Sequence, residues 1–377
     1  MNRCHGDSDV PPRYNLRPRR AAGPFMAYGQ AARRAAAAAG QHHHHQQNLK
    51  ANSYYTAHFA RGDERNNQSP ISSASPVPRP RSQPLQNLSN KQVGKPDVFN
   101  NVITPMLLQK GIDISAGTRI GHGRYSKVIT AKLINSNHTI AIKIIDKSQV
   151  ADDFRTKFLP RELEIWQQLK HENLVTLYAI YTYETRVLIV NEYGKLGNLL
   201  TYVLCHGATP DATGVRWAAQ MLAGVKYLHE KNIAHRDIKL ENIIIFDEKT
   251  VKIADFGFSR QLEENELSKT YCGSKSYIAP EVLSGRPYNP LKSDIWSLGA
   301  VFFVMMTNRM PFSENQSNEK VIQAQRQRTY HYPPNLSISD QCKQTIDTLM
   351  TFDPFRRPSI LRTFSLPWIR AYLLSQQ

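Results

Sequence analysis

An α+β fold with two lobes is the architecture that the sequence predicts: a small antiparallel β lobe, then a larger helical lobe, preceded by a disordered N-terminal arm. Between about residue 112 and residue 192, short apolar runs have the length and alternation of strands, with one helical pattern among them. After residue 198, helical periodicity dominates. Because strands come first and helices later, we expect separate lobes with an active site in the cleft between them.

The N-terminal arm, residues 1–110, carries most of the excess positive charge. It has 15 Lys and Arg against 5 Asp and Glu, a net charge of +10, whereas all 377 residues have a net charge of +17. It contains an Ala-Arg stretch, the tract QHHHHQQ and a segment rich in Pro, Ser and Arg. Few apolar residues recur at strand or helix spacing, so little burial offsets the ordering entropy and we expect disorder. The charge favours nonspecific attraction to acidic surfaces.

Other functions of the arm stay open. It is a candidate binder of nucleic acid or of the cytoskeleton, although its aromatic residues are too irregularly spaced for a sequence-specific nucleic-acid module. The histidines at 42–45 are more typical of a polar spacer than of a metal site. The Arg-rich and Ala-rich start resembles some mitochondrial transit peptides, but Asp7, Asp9 and the lack of an amphipathic period count against import.

Cysteine usage and apolar content bear on the compartment. Cys4, Cys205, Cys272 and Cys342 are widely separated and show no CxxC spacing. This pattern signals neither a disulfide framework nor a zinc site, and it favours a cytoplasmic protein, with nuclear or cytoskeletal association as alternatives. The longest apolar run, residues 298–306, is about half the roughly 20 residues of a membrane span. We therefore expect a buried helix there and no transmembrane segment.

The β lobe is predicted to contain one helix, over residues 154–169. Its strands are expected over residues 126–133, 139–145, 174–183 and 187–192. The lobe opens with IGHGRYSKV at 120–128, where Gly121 and Gly123 let the backbone approach phosphate oxygens. Alone this pattern is weak, because Ser126 stands where a third glycine is usual. It gains force from Lys143, which lies in an otherwise apolar strand and needs an anionic partner.

Three segments of the second half carry the chemistry: HRDIKLEN at 235–242, DFG at 255–257 and APE at 279–281. The five fixed types in HRDxKxxN would meet by chance about once in three million positions if residues were equally frequent. In order and spacing the set resembles the protein-kinase signature. The resemblance covers a catalytic domain over residues 114–370 and implies the bilobal kinase fold.

The resemblance implies ATP and Mg²⁺ as cofactors and assigns the residues that hold them. Lys143 is expected to bind the α- and β-phosphates while paired with Glu162, and Asn242 and Asp255 are expected to bind Mg²⁺. Adenine is expected to meet backbone groups of the hinge that follows Asn191. The full set expected to bind ATP is Ile120, Gly121, Gly123, Val128, Ala141, Lys143, Glu162, Glu192, Gly194 and Ile244.

The catalytic residues implied by the resemblance are Asp237, Lys239 and Asn242. Asp237 is expected to orient the acceptor hydroxyl and take its proton, while Lys239 neutralises charge on the transferred phosphate. The HRDxK arrangement resembles serine/threonine kinases, so the expected partners are protein substrates with Ser or Thr acceptors. A pseudokinase scaffold is the rival, but such chains usually lack one of the Lys, Asp or Asn residues that are present here.

Four further segments indicate the family within the protein kinases: KFLPRELEI at 157–165, DFGFS at 255–259, LSKTYCGS at 267–274 and PYNPLKSDIWSLG at 287–299. These segments resemble the testis-specific serine/threonine kinase family within the calmodulin-dependent-kinase-like group. The resemblance implies a role in spermatid development. It also implies that Asp294 lies on a buried helix that anchors the catalytic loop and that Arg357 pairs with Glu281.

Regulation is expected at Thr270, which stands between the DFG and APE segments where related kinases receive an activating phosphate. An upstream kinase or autophosphorylation would supply it, and Arg236 is a candidate partner for the phosphate. Ser268 and Ser274 are rival sites. We expect Ser274 to be a structural hydroxyl facing the catalytic loop.

Two further departures from the family pattern concern substrate choice and packing. Glu241 is kept, but Asn198 and Val304 replace the other acidic residues that receive an arginine upstream of the acceptor, so we expect modest arginine selectivity. Trp166 and Asn191 stand where a smaller aliphatic residue and a Met are common. Either the Trp166 indole donates to the Asn191 side chain, or Trp166 turns outward and Asn191 bonds to backbone or water.

Overall fold

The structure is a computed structural model that describes residues 98–122 and 126–377. The expectations for the arm before residue 98, and the expected contact of Gly123 with ATP, lie outside the described residues. From residue 112 onward the described chain forms the expected β lobe and helical lobe.

The β lobe is an antiparallel sheet whose strands follow the predicted apolar runs closely. The strand order is β1-β3-β4-β6-β5, with β2 paired to β3. The strands are β1 (Ile112–Asp113), β2 (Arg119–His122), β3 (Ser126–Leu133), β4 (Thr139–Asp146), β5 (Leu177–Tyr183) and β6 (Arg186–Glu192).

The end of the arm differs from the sequence-based expectation, because a helix, α1 (Val98–Gln109), precedes the sheet. Its Ile103 and Leu107 are completely buried and join a core cluster with Ile140 and Leu188 of the sheet. Residues four apart lie on one face of a helix, so this pair covers a face of the sheet that would otherwise expose apolar side chains. Pro105 inside the helix and the shortness of the apolar pattern hid it in the sequence.

The helix expected over 154–169 is present but has two parts. A π-helical turn over Phe154–Phe158 leads into α2 (Leu159–Gln167). The apolar pattern gives α2 a buried face on which Glu162, Ile165 and Trp166 lie. Residues four apart again share a face, which places the carboxylate and the indole one turn apart.

The helical lobe packs around α6 (Pro290–Thr307), which contains the long apolar run and is buried along nearly its whole length. The side chain of Asn289 caps its first turn by accepting from the backbone N–H groups of Leu291 and Lys292. No helix in the described part of the chain is both long and apolar enough to cross a membrane. The other helices are α3 (Leu199–His206), α4 (Asp211–Glu230), α5 (Pro280–Leu283), α7 (Asn318–Gln327), α8 (Asp340–Leu349), α9 (Ile360–Thr363) and α10 (Pro367–Leu374).

Two short strand pairs lie beneath the cleft. β7 (Ile233–Ala234) pairs with β10 (Arg260–Gln261), and β8 (Ile243–Ile245) pairs with β9 (Val251–Ile253). The catalytic loop runs between β7 and β8, and Leu240–Asn242 within it forms a 3-10 turn. The strands therefore hold both ends of the segment that carries the HRD residues.

Candidate active site

Lys143 stands at the centre of the cleft and contacts two carboxylates. Its ammonium lies 2.9 Å from Oε1 of Glu162 on α2 and 3.2 Å from Oδ1 of Asp255. It projects from β4 and pairs across the sheet with Val128 of β3. The three residues predicted to hold the nucleotide and a cation are thus brought together from both lobes.

The contacts of Lys143 favour the ionised forms of Lys143 and Asp255, whereas burial raises the pKa of Glu162. Burial acts against the Lys143 ammonium, but the carboxylates of Asp255 and Glu162 raise the pKa of Lys143 above its ordinary value. The Lys143 ammonium in turn lowers the pKa of Asp255 to about 2. Asp255 is therefore a carboxylate at neutral pH, which suits a hard cation.

The ends of β6 and β8 bring the expected adenine-binding residues together. Ala141 pairs across the sheet with Asn191, one residue before the hinge at Glu192. A Cβ on Gly194 would lie 2.1 Å from Cγ2 of Ile244, so only glycine lets the hinge approach β8 this closely. Ala141 and Ile244 therefore both lie next to the hinge, while Ile120 is exposed at the start of the glycine-rich hairpin.

Glu192 is more firmly held than the sequence suggested. Its carboxylate accepts from Nζ of Lys252 at 2.7 and 2.8 Å and from the backbone N–H of Thr176 at 2.6 Å. Lys252 lies on β9 and is the cross-strand partner of Ile244. The pair therefore joins the hinge to the strand pair beneath it. A lysine within the apolar strand VKI was the only sequence signal, and it did not reveal the partner.

Asp237 has both carboxylate oxygens engaged by groups of the cleft. Oδ2 accepts from Nζ of Lys239 at 2.7 Å and from Nδ2 of Asn242 at 3.2 Å. Oδ1 accepts from the hydroxyl of Ser274 at 3.2 Å, and Lys239 also donates to that hydroxyl at 3.1 Å. Although burial disfavours the Lys239 ammonium, Asp237 raises the pKa of Lys239. Ser274 thus faces the catalytic loop, as expected.

The catalytic loop is fixed from below by Asp294 of α6. Its carboxylate accepts from the backbone N–H groups of His235 at 2.9 Å and Arg236 at 2.8 Å, and it lies 3.0 Å from Nε2 of His229. Arg236 has a positive φ of 66°, so its backbone needs such support. The predicted anchoring role of Asp294 is confirmed.

The APE glutamate is also held as predicted. Arg357, which is 1% exposed, donates to Glu281 through Nη1 at 2.7 Å and Nη2 at 3.0 Å. A two-bond pair of this kind fixes orientation as well as distance. It attaches α5 to the loop before α9. The segment between DFG and APE, residues 258–278, which precedes α5, is called the acceptor loop.

The three candidate phosphorylation sites differ in access. Thr270 is exposed, whereas Ser268 and Ser274 are buried. Arg236 donates through Nε to the carbonyl of Phe258 at 2.6 Å, and its buried Nη1 has no hydrogen-bond partner among the described residues. A guanidinium nitrogen near the acceptor loop thus retains an unused donor.

Both expectations for Trp166 need correction. The side chain is 3% exposed, so it does not turn outward, and its indole N–H donates to the carbonyl of Val175 at 2.8 Å. Asn191 donates instead to the carbonyl of Glu192 at 2.9 Å, so the expected bond between Trp166 and Asn191 does not form. The expectation that Asn191 bonds to backbone is correct. The two side chains therefore donate to different backbone carbonyls.

Trp166 joins a row of three aromatic rings that meet at tilted and edge-to-face angles. Its ring centroid lies 5.4 Å from that of Phe256, which lies 5.5 Å from that of His235. Val175 donates its own N–H to the carbonyl of Ile253 at 2.9 Å, so the acceptor of the indole is tied to β9. Trp166 therefore links α2 to the strand that leads into the DFG segment.

The residues predicted to bind Mg²⁺ fit that ion. Asn242 and Asp255 offer a carboxamide and an ionised carboxylate, and the backbone N–H of Ala254 donates to the carbonyl of Asn242 at 2.8 Å. In the described ranges no group of three or more His, Cys, Asp or Glu residues is placed to hold a metal. Two protein oxygens, with phosphate and water oxygens supplying the rest, are typical of Mg²⁺ sites for nucleotides.

Residues 114–369 match the protein kinase domain. The human testis-specific serine/threonine-protein kinase 4 (Homo sapiens) is 33% identical over 296 residues, which span 74% of this chain and 89% of that protein. The human testis-specific serine/threonine-protein kinase 3 is 36% identical over 266 residues, covering 70% and 97% of the two chains. The mouse (Mus musculus) testis-specific serine/threonine-protein kinase 2 is 35% identical over 271 residues, covering 70% and 75%. The motifs, the cleft geometry and these similarities agree: the chain is a serine/threonine protein kinase and belongs to the testis-specific serine/threonine kinase family.

Proposed function

We propose that this kinase transfers the γ-phosphoryl group of ATP, bound with Mg²⁺, to Ser and Thr hydroxyls of protein substrates. The observation that carries the proposal is the simultaneous contact of Lys143 with Glu162 and Asp255. This arrangement joins α2 to the DFG segment and brings the proposed phosphate-binding lysine next to the proposed Mg²⁺-binding carboxylate. The catalytic unit is residues 114–370, behind the basic arm of residues 1–110.

Phosphoryl transfer needs alignment and charge neutralisation more than covalent help. Lys143 would bind the α- and β-phosphates, and Asn242 and Asp255 would hold Mg²⁺, which when bound would supply positive charge to the phosphate oxygens. Ala141, Ile244 and the backbone of the hinge would hold the adenine. The other residues proposed to line the ATP site are Ile120, Gly121, Gly123, Val128, Glu192 and Gly194.

The acceptor hydroxyl binds beside the Asp237 carboxylate, close to the Ser274 hydroxyl and the Lys239 ammonium. Asp237 accepts a hydrogen bond from the acceptor hydroxyl and then its proton, while Lys239 balances charge on the moving phosphoryl group. Asn242 holds Asp237 through its second bond, from Nδ2 to the Asp237 carbonyl at 2.9 Å. The base is therefore oriented before the substrate binds.

Thr270 is the proposed activating phosphosite, modified by an upstream kinase or in an autophosphorylation reaction. It is the exposed candidate of the three, and the unused Nη1 of Arg236 is a donor suited to a phosphate. Arg236 directly precedes Asp237. A phosphate held by Arg236 would therefore order the acceptor loop next to Asp237.

By family membership we propose a role in spermatid development, in the cytoplasm or in association with the nucleus or cytoskeleton. The relatives are named testis-specific serine/threonine kinases, and this supports the proposal. The basic arm is proposed to bind acidic surfaces without recognising a nucleic-acid sequence. A salt-dependent binding assay of residues 1–110 tests that part alone.

Transfer of labelled phosphate from ATP to a generic basic protein tests the proposed function. Wild-type protein is expected to label Ser and Thr in the presence of Mg²⁺, and Lys143→Met is expected to abolish labelling while its circular-dichroism spectrum shows that it remains folded. A pseudokinase would label nothing even as wild type. Undiminished labelling by folded Lys143→Met would refute the assignment.

A further inference from the structure

An open pocket of about 760 Å³ lies on the helical lobe, where the start of α6 meets the loop before α9. We call it the basic pocket, because Lys292, Arg356, Arg357 and Arg362 line it and none of its lining residues is Asp or Glu. The rest of its lining consists of Thr348, Phe355, Pro358, Ser359, Ser365 and Leu366. Its surface is thus both cationic and partly apolar.

The positive charge of the basic pocket is only partly balanced. Arg357 is paired with Glu281, and Nε of Arg356 lies 3.7 Å from Oδ2 of Asp353. Nζ of Lys292 donates to the backbone carbonyl of Arg357 at 2.5 Å. Arg362 forms neither an ion pair nor a side-chain hydrogen bond within the described part of the chain. Two cationic groups, those of Lys292 and Arg362, therefore have no carboxylate partner there.

Elsewhere on the described surface, many cations are matched within a helical turn. Examples are Arg155 with Asp152, Lys226 with Glu230 and Lys343 with Asp340. At the basic pocket the charged neighbours of Lys292 are positive, like Lys292 itself. Burial, then the charges of Arg357 and Arg362, lower the pKa of Lys292. Like charges held close together are unfavourable until an anion joins them.

The remaining lining supplies unused hydrogen-bond donors and an apolar contact. The hydroxyls of Ser359 and Ser365, both exposed, form no hydrogen bond with any of the described residues. Phe355 is 94% exposed, the largest exposure recorded for a large apolar side chain in the described ranges. A guanidinium, an ammonium and two hydroxyls surround a space that would accept a carboxylate or a phosphate. Phe355 would cover an apolar side chain next to that anion.

From this complementarity we propose that the basic pocket docks an acidic segment of a protein partner. The phosphoserine or glutamate side chain of that segment bonds to Arg362, Lys292 and the two hydroxyls. A leucine or similar residue beside it packs on Phe355. None of the pocket's lining residues takes part in the proposed phosphoryl transfer, so the two proposals stand or fall separately.

Fluorescence anisotropy with the full-length chain tests the docking. The probe is a fluorescein-labelled peptide, Glu-Glu-phosphoserine-Glu-Leu. Loss of one charge-assisted contact is worth about 1.4 kcal/mol or more, so Arg362→Glu is expected to weaken binding about tenfold or more. Arg370→Glu, an equal charge reversal at an exposed arginine of α10 outside the pocket, is expected to change the Kd less than about twofold. Phe355→Ser is expected to weaken the binding of this peptide, but not the binding of an analogue with glycine in place of leucine.

Arg362→Gln is a second variant, which removes the charge without reversing it. Phosphorylation of a short peptide substrate shows that the variants remain folded. Peptides with glutamate or serine in place of phosphoserine identify the anion, and binding to the serine peptide alone would contradict the proposal. The proposal fails if wild type does not bind, or if Arg362→Glu and Arg370→Glu weaken binding equally. It also fails if Arg362→Glu abolishes binding only to phosphatidylserine vesicles, which would make the basic pocket a membrane site.

Discussion

Replacing Trp166 with Phe tests whether the indole bond to Val175 stabilises the kinase. The substitution keeps an aromatic ring facing Phe256 but removes the N–H donor. The Val175 residue is 3% exposed, so its carbonyl would lose its donor in a place that water reaches poorly. Leaving a buried acceptor without a partner costs about 1–3 kcal/mol.

The smaller ring adds a packing cost. Trp is larger than Phe by roughly 40 Å³, and an unfilled cavity costs about 24 cal/mol per Å³, which gives about 1 kcal/mol. We therefore expect the free energy of unfolding to fall by about 2–4 kcal/mol. Trp166→Leu, which also removes the stacking on Phe256, should cost about 0.5–1.5 kcal/mol more.

Urea-induced unfolding, followed by circular dichroism, measures the effect. Glu164→Ala is the matched control, because Glu164 is an exposed residue on the same helix and its replacement should stay within about 0.5 kcal/mol of wild type. If Trp166→Phe lies within that same margin, the indole bond contributes nothing measurable and the reasoning fails.

Four further experiments test the independence of Trp166 and Asn191, the role of Thr270, substrate specificity and the pH dependence of stability. In a double-mutant cycle, Trp166→Leu and Asn191→Met should be additive to within about 0.5 kcal/mol, because the two side chains bond to different carbonyls; a larger interaction energy would contradict these partners. Thr270→Ala should lower kcat on a peptide substrate, compared with wild type whose Thr270 is shown by mass spectrometry to be phosphorylated; equal activity would rule out the switch. A peptide library should show modest preference for Arg three residues before the acceptor, since Glu241 lacks acidic companions at Asn198 and Val304, and dominant selection there would overturn this. Lys143 lowers the pKa of Asp255 from 3.8 to about 2, so this carboxylate stabilises the fold above about pH 4 and the contribution disappears as pH falls towards 2. The stability difference between wild type and Asp255→Asn should shrink over that range, and a constant difference would argue against the ion pair.

The motif residues were predictable because their chemistry requires them in fixed order. The positions of Asp237, Lys239 and Asn242 follow from one short segment, and the structure places their side chains in contact. Strands such as β3 were predictable because a short run of alternating or continuous apolar residues is typical of a half-buried or buried strand. The pair of Arg357 and Glu281 followed from the family resemblance.

Partners that depend on tertiary packing were not predictable. The sequence shows that a buried Trp166 needs an acceptor, but it does not say which one, because the packing of α2 against Val175 selects it. The helix α1 is stable because Ile103 and Leu107 meet a particular face of the sheet. Lys252 likewise gained its partner from the register of β8 and β9, which brings it below Glu192.

Asp237 is proposed to position and deprotonate the acceptor hydroxyl. A single-turnover measurement of phosphoryl transfer, at saturating ATP and Mg²⁺ with excess enzyme, compares wild type with Asp237→Asn most directly. General-base catalysis contributes about 10²–10⁴ in rate, so the variant should transfer phosphate at least 100-fold more slowly while nucleotide affinity and the thermal melt stay near wild type. A transfer rate within about threefold of wild type, from a folded variant that binds nucleotide normally, would contradict a general-base role for Asp237.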